Sequence, residues 1–558
     1  MSVQTSSLAS AWPSRDLASV VAESTPARVW RGGLRRVVFG ALATACALGV
    51  SGGIAAAQDA PGQAEPTFDI QAIDIDGNTV LDQTTLERAI YPFMGPGRTR
   101  ADVAAAQKAL EDAYHAKGFQ TVVVEVPRQN VSEGVVKLHV VEAPVGRLRV
   151  VGSKYHSLDA VRNAVPALAE GQVPDLNAAQ AQITAANRLP DRQVTPIIRA
   201  GVAPGTVDID LQVAEEAPLH GSVELNNDHS AFTKPLRLST NLRYDNLWQR
   251  GHSLSLTYQF APERRSDTEV YAGSYVAPIW NTPFTALLYG FRSNSDVATV
   301  GGVAVLGKGT TVGTRLIYQF PSSGAVSQSL SAGLDYKKYF EFVRLDTTAV
   351  TDGQIEYWPL NATYTWRRQG ETSTTASVAV TANIRGFGDD DGGFQDRRAD
   401  ARANFVHLNI DAQHTRPLGR GFDASFRFSG QITDTPLPSA EQFSAGGLTS
   451  VRGYLSAEAV GDGGVFGSIE LQTPVIASVP GVLDGWKAYA FIDGAGLWVT
   501  QPLAEQQEEF FLYSAGLGTR VQLLKRLNGD VVAGFPLRDG PNRTTGRPYF
   551  SFSLKAEF

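Results

Sequence analysis

The second part of the chain, from Leu219 to Phe558, is a succession of short runs in which apolar and polar residues alternate. Turn residues separate the runs, and no helical pattern interrupts them. Examples cover 236–245, 253–260, 376–385 and 423–433. In the last run, the residues of one parity are all apolar: Phe550, Phe552, Leu554, Ala556 and Phe558. A period of two predicts strands with one apolar face and one polar face.

Alternation of this kind also occurs in soluble β proteins. However, about 340 residues of strand and turn are too many for one ordinary β-sandwich. Strands of about nine to eleven residues, apolar outside and polar inside, are typical of barrels that cross a lipid bilayer. At roughly twenty residues per strand and turn, residues 218–558 predict a membrane β-barrel of about 16 antiparallel strands.

The composition is compatible with a barrel and excludes some other classes. Charged residues make up 19% of the chain and the mean hydropathy is −0.12. Such values do not exclude a membrane barrel, because a barrel exposes only every second strand residue to lipid. The formal net charge of −7 argues against nucleic acid as the main partner. No segment contains eighteen consecutive apolar residues, so any membrane crossing must be made by strands.

The N-terminal region 1–57 is predicted to be a signal peptide with an N-terminal extension. Its basic part contains Arg28, Arg31, Arg35 and Arg36, an uncharged apolar run covers 37–50, and Ala55-Ala56-Ala57 offers a cleavage site. The single cysteine, Cys46, lies in the apolar run. After cleavage no disulfide or cysteine metal site would remain. A short linker, 58–66, follows.

Between the linker and the barrel, two similar α+β units are predicted, 67–143 and 144–217. Each is expected to have the order βααββ. In the first unit a helix from Arg100 to Lys117 begins after Thr99, which forms a capping box with Asp102. In the second, helices are expected at 158–164 and 177–187, and strands at 194–199 and 207–213. Two copies are too few for a solenoid, so tandem domains are predicted.

A short motif, Val451-Arg452-Gly453-Tyr454, lies in a glycine-rich stretch of the barrel region, and Phe491-Ile492-Asp493 follows forty residues later. With these motifs, the two α+β units and the terminal Phe558, the chain resembles the outer-membrane transporters of two-partner secretion. These are the haemolysin activation/secretion proteins of the POTRA-barrel superfamily. The segments 187–193, 204–210, 219–222 and 244–248 are also similar to family sequence. The resemblance covers nearly all of the chain after the signal peptide.

The resemblance implies roles for specific residues. The loop with Val451, Arg452, Gly453 and Tyr454 would fold back into the barrel lumen, and Arg452 would pair with Asp493 in the strand motif that Phe491 opens. A charge-assisted, bidentate contact is a sensible anchor for a loop with little apolar surface. Alternatively, Arg452 lies in solvent and Asp493 caps a turn.

Three further features bear on this resemblance. Ala495 stands where the family's strand motif has glycine, which puts the local strand geometry in doubt. Between Gln58 and Phe68 there is no room for the pore-plugging helix of some family members. Phe558 is expected to serve as a C-terminal signal for barrel assembly.

The resemblance also implies partners and a mechanism. The α+β units, as POTRA domains, would capture an unfolded exoprotein in the periplasm and pass it through the barrel without ATP. An exposed strand edge, 136–141 or 122–126, could bind it by β-augmentation. Outer-membrane lipid, the barrel-assembly machinery and periplasmic chaperones are the other expected partners. Alternatives are an insertase that assembles other barrels and a passive porin.

No catalytic constellation is found in the sequence, and no cofactor or metal site is expected. The histidines are scattered and are predicted to be structural or solvent-facing. Asp389-Asp390-Asp391-Gly392-Gly393 lacks the ligand spacing of an EF-hand and predicts a solvated hairpin turn. Glu505, Glu508 and Glu509 predict a polar loop.

Overall fold

The computed structural model describes residues 66–131, 133–187, 189, 191–279, 282–300, 303–345, 349–504 and 506–558. The predicted signal peptide, Cys46 and all but the last residue of the predicted linker lie outside these ranges. Contacts divide the described residues into two units, one ending at Glu216 and the other beginning at Ala217. Among the described residues, no helix has the length and apolarity needed to span a membrane.

The first unit opens with a small α+β domain. Strand β1 (Phe68–Ile70) pairs with β3 (Gly95–Arg98), and β2 (Ala72–Asp76), β4 (Val123–Glu125) and β5 (Val135–Val141) form a sheet in the order β2-β5-β4. Helices α1 (Gln83–Ile90) and α2 (Arg100–Ala116) cover it. The predicted capping box is present, because Thr99 and Asp102 each accept a hydrogen bond from the other's backbone N–H. The domain has its own apolar core, which includes Leu86, Leu110, Tyr114, Val124 and Leu138.

The structure corrects one prediction about this sheet. Residues 136–141 lie in β5, which pairs with β2 on one side and β4 on the other. β2 pairs with residues 135–139 and β4 with residues 139–141, and the Gln129 side chain binds both backbone groups of Lys137. Little of this strand therefore remains as a free edge. Alternation alone could not reveal this, since it does not specify the order of strands in a sheet.

A second domain of the same unit follows. It contains β6 (Val145–Val151), α3 (Leu158–Asn163), α4 (Leu176–Ala186), β7 (Arg192–Ala200) and β8 (Val207–Glu215), with strand order β6-β8-β7. Ser157 caps α3 and Asp175 caps α4, each by accepting a hydrogen bond from a backbone N–H in the first turn. Both helices lie within one residue of their predicted bounds.

A buried acid–base pair closes the end of this second domain. His156 and Glu215 have side chains 2% and 1% exposed, and His156 Nδ1 lies 2.9 Å from Glu215 Oε1. Burial, followed by the nearby Arg192 charge, lowers the pKa of His156. Burial acts to raise the pKa of Glu215, but hydrogen bonds from the Tyr155 and Lys154 backbone and from Ser153 outweigh it and lower that pKa.

This pair predicts that the second domain loses stability in mild acid. The pKa of His156 is lower in the folded state, so below the ordinary histidine value of about 6.5 the unfolded chain binds the extra proton more readily. The urea midpoint of this domain, followed in the full chain by pulse proteolysis, should fall between pH 7.5 and pH 5.5. His156→Gln should flatten the dependence. A midpoint that rises on acidification would contradict the assignment.

The other unit is a closed antiparallel barrel of sixteen strands. Its strands are β9 (Leu219–Asn226), β10 (Arg237–Leu247), β11 (His252–Phe260), β12 (Glu269–Pro278), β13 (Phe284–Val300), β14 (Val303–Gln319), β15 (Val326–Leu345), β16 (Ala349–Arg368), β17 (Ser373–Gly388), β18 (Val406–Gly419), β19 (Phe422–Thr433), β22 (Gly463–Gln472) with its short continuation β23 (Ala477–Val479), β24 (Leu483–Trp498), β25 (Glu509–Leu523), β26 (Leu527–Pro536) and β27 (Tyr549–Glu557). Strands β20 (Phe443–Ala445) and β21 (Ala459–Gly461) form a hairpin between β19 and β22. A short helix, α5 (Asp391–Gln395), lies between β17 and β18.

The two faces of the barrel wall differ as the alternation predicts. Outward-facing residues such as Leu256, Ile432, Ile469 and Ile492 are exposed, and the last is 65% accessible. Inward-facing residues are polar and buried, for example Asn361, Thr363, Thr381 and Asn409. An apolar exterior and a polar interior are the requirements for a barrel in lipid, so the predicted membrane-barrel fold is confirmed.

The strand connections differ between the two ends of the barrel. At the end where β9 begins, the turns are short, such as 248–251, 420–421 and 524–526; we call this the turn end. At the other end, the loop end, the connections reach lengths such as 389–405 and 434–462. The sheet closes where β27 pairs with β9. There Phe558 exchanges two 2.9 Å backbone hydrogen bonds with Gly221.

Candidate functional site

The longest loop-end connection, residues 434–462, packs against the inner face of the wall. We call it the inner loop. Gly446 and Gly447 have φ values of 116° and 97°, a conformation that glycine adopts without strain. The loop meets Phe491 and Asp493, whose intervening neighbour Ile492 faces outward. Because successive strand residues face opposite sides, Phe491 and Asp493 point into the barrel.

Arg452, at the tip of the inner loop, is bound by Asp493 of β24. Its Nε lies 2.8 Å from Oδ2 and its Nη2 lies 2.9 Å from Oδ1, and its backbone N–H donates to Oδ2 at 3.0 Å. The guanidinium carbon also lies 3.6 Å from the centre of the Phe491 ring. The carboxylate is fully buried, so a bidentate, stacked arginine compensates its charge well.

A second carboxylate connects this contact to the wall. Glu470 of β22 accepts from Arg452 Nη1 at 2.6 Å and from Arg520 Nη1 at 2.6 Å. Arg520, on β25, also pairs with Asp530 at 3.1 Å. Two arginines and three carboxylates therefore form one network across four neighbouring strands. Such shared contacts stabilise one another in a low-dielectric environment.

The residues beside Arg452 fit the wall closely. A Cβ atom built on Gly534 would lie 2.6 Å from the Cα of Gly453, so only glycine at both positions permits this approach. The Tyr454 hydroxyl donates to the carbonyl of Arg538 at 2.6 Å and lies 3.0 Å from the carbonyl oxygen of Tyr513. Val451 is fully buried in an apolar cluster of the loop and wall. The motif thus contributes an ionic contact, a close backbone approach and an apolar contact.

Ala495, which replaces the family's usual glycine, lies in a regular strand. It pairs with Leu512 on one side and Phe466 on the other, without a register shift at that point. Its side chain joins the apolar cluster under the inner loop. The departure therefore leaves the geometry of the strand intact.

The sequence offered no sign of a second buried site on the inner loop. Glu441 is fully buried and accepts from Lys337 Nζ at 2.5 Å and from Tyr357 Oη at 2.8 Å; His407 Nε2 lies 3.3 Å away. These partners lie on β15, β16 and β18, whereas Arg452 binds strands later in the wall. The inner loop is consequently held at two separate parts of the barrel.

Asp462, at the end of the inner loop, connects three loop-end segments. It is fully buried and accepts hydrogen bonds from Leu437 N and Gln442 Nε2 within the loop. It also accepts from Arg398 Nη2 at 2.8 Å, in the 389–405 connection, and from Thr500 N at 2.7 Å. Neither Glu441 nor Asp462 belongs to a recognisable motif, so only the folded chain shows their roles.

Two loop predictions are corrected by the structure. The segment 389–393 is not a simple hairpin turn: Asp390 caps α5 by accepting from Gly393 N, and Asp391 pairs with Arg385. Asp389 accepts from Glu356 N at 2.9 Å. Glu509 begins β25 and does not lie in a loop, while Glu505 lies outside the described residues.

Two protein-family models match the chain. The family model for haemolysin secretion/activation protein ShlB/FhaC/HecB matches residues 205–521, more than half of the chain and including both Arg452 and Asp493. The model for the ShlB-type POTRA domain matches residues 68–143.

Similar individual proteins are transporters or share the fold. Outer membrane transporter CdiB of Dickeya dadantii (strain 3937) is 22% identical over 440 residues, covering 76% of this chain and 77% of that protein. The solved structure of CdiB from Escherichia coli has a TM-score of 0.64 at 20% identity, covering 91% of this chain and 93% of its own. BamA from Haemophilus ducreyi lacking POTRA domains 1–3 has a TM-score of 0.54 at 15% identity, covering 88% and 100%.

The family model decides the assignment, since the solved structures at these identities show the fold alone. The resemblance stated from the sequence motifs is confirmed. The family is one of transporters and not of enzymes. This chain belongs to the haemolysin secretion/activation protein ShlB/FhaC/HecB family of outer-membrane transporters, with its barrel in the bacterial outer membrane and its POTRA domain in the periplasm.

Proposed function

We propose that this transporter moves one secreted exoprotein across the outer membrane as an unfolded chain, and that the inner loop must shift to let it pass. The observation that carries the proposal is the buried Arg452–Asp493 contact on the inner face of the barrel wall. The two strands of the inner loop, β20 and β21, pair with each other and not with the described wall strands, so the loop can be released without breaking the backbone hydrogen bonds of the wall. Arg452, Gly453 and Tyr454 are proposed to hold the closed state.

The energy for transport is proposed to come from binding and folding. No nucleotide is available beyond the inner membrane, so the exported chain would be drawn outward by folding at the cell surface. Transport driven in this way needs no cofactor. It requires only that the cargo enters unfolded and that the two α+β domains before the barrel, here called the POTRA unit, bind it in that state.

Contacts within the first domain disfavour one of the two edges proposed for cargo binding. The outer edge of β4, at 123–125, is occupied by side chains of α2. Gln107 donates to Val124 O at 2.6 Å, Glu111 accepts from Val124 N at 3.3 Å, and His115 Nε2 lies 3.2 Å from Val122 O. Since these groups take the places of a neighbouring strand, augmentation at this edge is disfavoured.

The outer edge of β7 in the second domain is more open. Asn187 binds both backbone groups of Val194. Because backbone groups alternate along a strand, those of Pro196 and Ile198 point to the same outer edge as those of Val194. Pro196 has no N–H that needs a partner. Ile198 is 39% exposed. We propose that the cargo adds as a strand along 196–200, with Ile198 offering the central N–H and an apolar contact.

Ile198→Pro tests this edge. It removes the backbone donor, and binding of the N-terminal part of the exported protein should weaken about fivefold, as expected for one lost hydrogen bond. Ile198→Ala keeps the donor and is the matched control. Fluorescence anisotropy with the purified full-length transporter measures both. Unchanged binding by the proline variant would rule out this edge.

Assembly of the barrel itself is proposed to need the barrel-assembly machinery and periplasmic chaperones. Phe558 directly follows the last strand, β27, and is 61% exposed at the closing seam of the sheet. An exposed aromatic residue at this place is a suitable recognition signal. The insertase alternative has a specific point in its favour, since BamA of Haemophilus ducreyi shares the fold, and the export experiment below separates the two.

A further inference from the structure

The site that holds Arg452 has the features of a binding pocket for a guanidinium group. Its walls are the buried carboxylate of Asp493, the carboxylate of Glu470 and the face of the Phe491 ring, and Ser468 Oγ completes it at 3.2 Å from Nη2. A bidentate carboxylate with an aromatic face alongside matches a guanidinium better than an ammonium group.

The same wall holds a second guanidinium in the same manner. Arg520 lies with its guanidinium carbon 4.0 Å from the centre of the Tyr489 ring, and it pairs with Glu470 and Asp530. Tyr489 and Phe491 are successive inward residues of β24, so their two rings form adjacent stacking positions. The repetition indicates that this surface is built to receive guanidinium groups.

The two arginines differ in how they are attached. Arg520 belongs to a barrel strand, whereas Arg452 belongs to the inner loop and would leave with it. If Arg452 left, three carboxylates, on Glu470, Asp493 and Asp530, would have only two arginines nearby, Arg520 and Arg427. Arg427 lies over the ring of Phe466. A buried carboxylate without a partner is costly, so another cation should take the vacated place.

We propose that Asp493, Glu470 and Phe491 form an exchangeable guanidinium site, filled by Arg452 in the closed state and by an arginine side chain of the passing exoprotein when the inner loop is displaced. Each arginine of the cargo would replace the contact that Arg452 gives up. The replacement would lower the free-energy cost of keeping the inner loop displaced. That the second arginine comes from the cargo rests on the proposed function. That the pocket binds a guanidinium group does not.

The pocket is tested separately from transport. Isothermal titration calorimetry on the purified full-length Arg452→Ala protein in detergent compares ethylguanidinium chloride with ethylammonium chloride at equal ionic strength. Ethylguanidinium should bind at least about tenfold more tightly, and this preference should vanish in Arg452→Ala/Asp493→Asn. Equal binding of the two cations, or an unchanged preference in the double variant, would overturn the proposal.

If Arg452→Ala does not fold, the wild-type protein provides the test. In planar bilayers, arginine ethyl ester should compete with Arg452 and raise the time spent at high conductance several-fold more than lysine ethyl ester. Equal effects of the two esters would overturn the pocket. If the pocket is present but a cargo with all arginines replaced by lysine is exported at an unchanged rate, the arginine source is wrong and the proposed function stands.

Discussion

Arg452→Ala is expected to reduce export of the exoprotein at least tenfold while the amount of folded barrel in the outer membrane is maintained. The substitution removes both hydrogen bonds to Asp493 and the stacking on Phe491. It also leaves a buried carboxylate without its main partner, which typically costs about 3–5 kcal/mol. Without this contact the inner loop is expected to have no fixed position in the lumen and to obstruct the path of the cargo, whereas the hydrogen-bonded wall would remain.

The measurement is co-expression of the transporter with its secreted exoprotein partner, followed by quantification of the exoprotein in the medium and of the transporter in the outer membrane. Arg416→Ala, an exposed arginine on β18, is the matched control and should export normally. If export continues undiminished in Arg452→Ala, the contact has no role in transport. If cargo leaves without the barrel, and its absence instead alters the outer-membrane protein profile, the protein is an insertase.

Glu441→Ala is expected to destabilise the barrel and the inner loop together. Lys337 is fully buried and its ammonium pairs with Glu441 at 2.5 Å, while Tyr357 and His407 use the same carboxylate. Removing the acid leaves a buried cation, at a cost of about 3–5 kcal/mol. Replacing both residues of the pair with methionine should recover most of this loss, since no unpaired charge remains.

Resistance of the folded barrel to SDS at increasing temperature, read from its gel mobility, measures this effect. Glu441→Ala should change to the mobility of the unfolded chain at a lower temperature than wild type. Lys337→Met/Glu441→Met should change at a temperature close to that of wild type. The single variants Lys337→Met and Glu441→Met complete the double-mutant cycle. Equal transition temperatures for Glu441→Ala and wild type would show that the pair does not hold the loop.

The parts of the structure that the sequence predicts are those with a local signature. The period-two alternation from Leu219 onward predicts the sixteen-stranded wall, because each strand carries its own inward and outward pattern. The capping box at Thr99 predicts the start of α2. Helix α1 was expected from the βααββ order, although its bounds were not assigned, and the central place of β5 was missed because it depends on strand order.

The candidate site also contains residues that a local sequence pattern predicts and residues that it does not. Arg452 and Asp493 stand out in sequence because each lies in a motif, although only the fold shows that Glu470 and Arg520 complete their network. Glu441 and Lys337 are 104 positions apart and lie in no motif. Pairing of this kind depends on how the inner loop crosses the barrel, which no local pattern records.

The most direct test of the account is to lock the inner loop in place and measure export. Ser456 Oγ in the loop donates to Asp228 Oδ1 in the β9–β10 connection at 2.6 Å, and Ser456 N donates to His229 O at 2.9 Å. The two segments therefore run side by side, and mobility on a nonreducing gel would show whether cysteines at 228 and 456 form a disulfide. Cys46, the one cysteine of the sequence, lies in the predicted signal peptide. Export by Asp228→Cys/Ser456→Cys should stop under oxidising conditions and resume with reductant, while each single variant exports throughout. Export that continues through the locked barrel would contradict the claim that the inner loop must move.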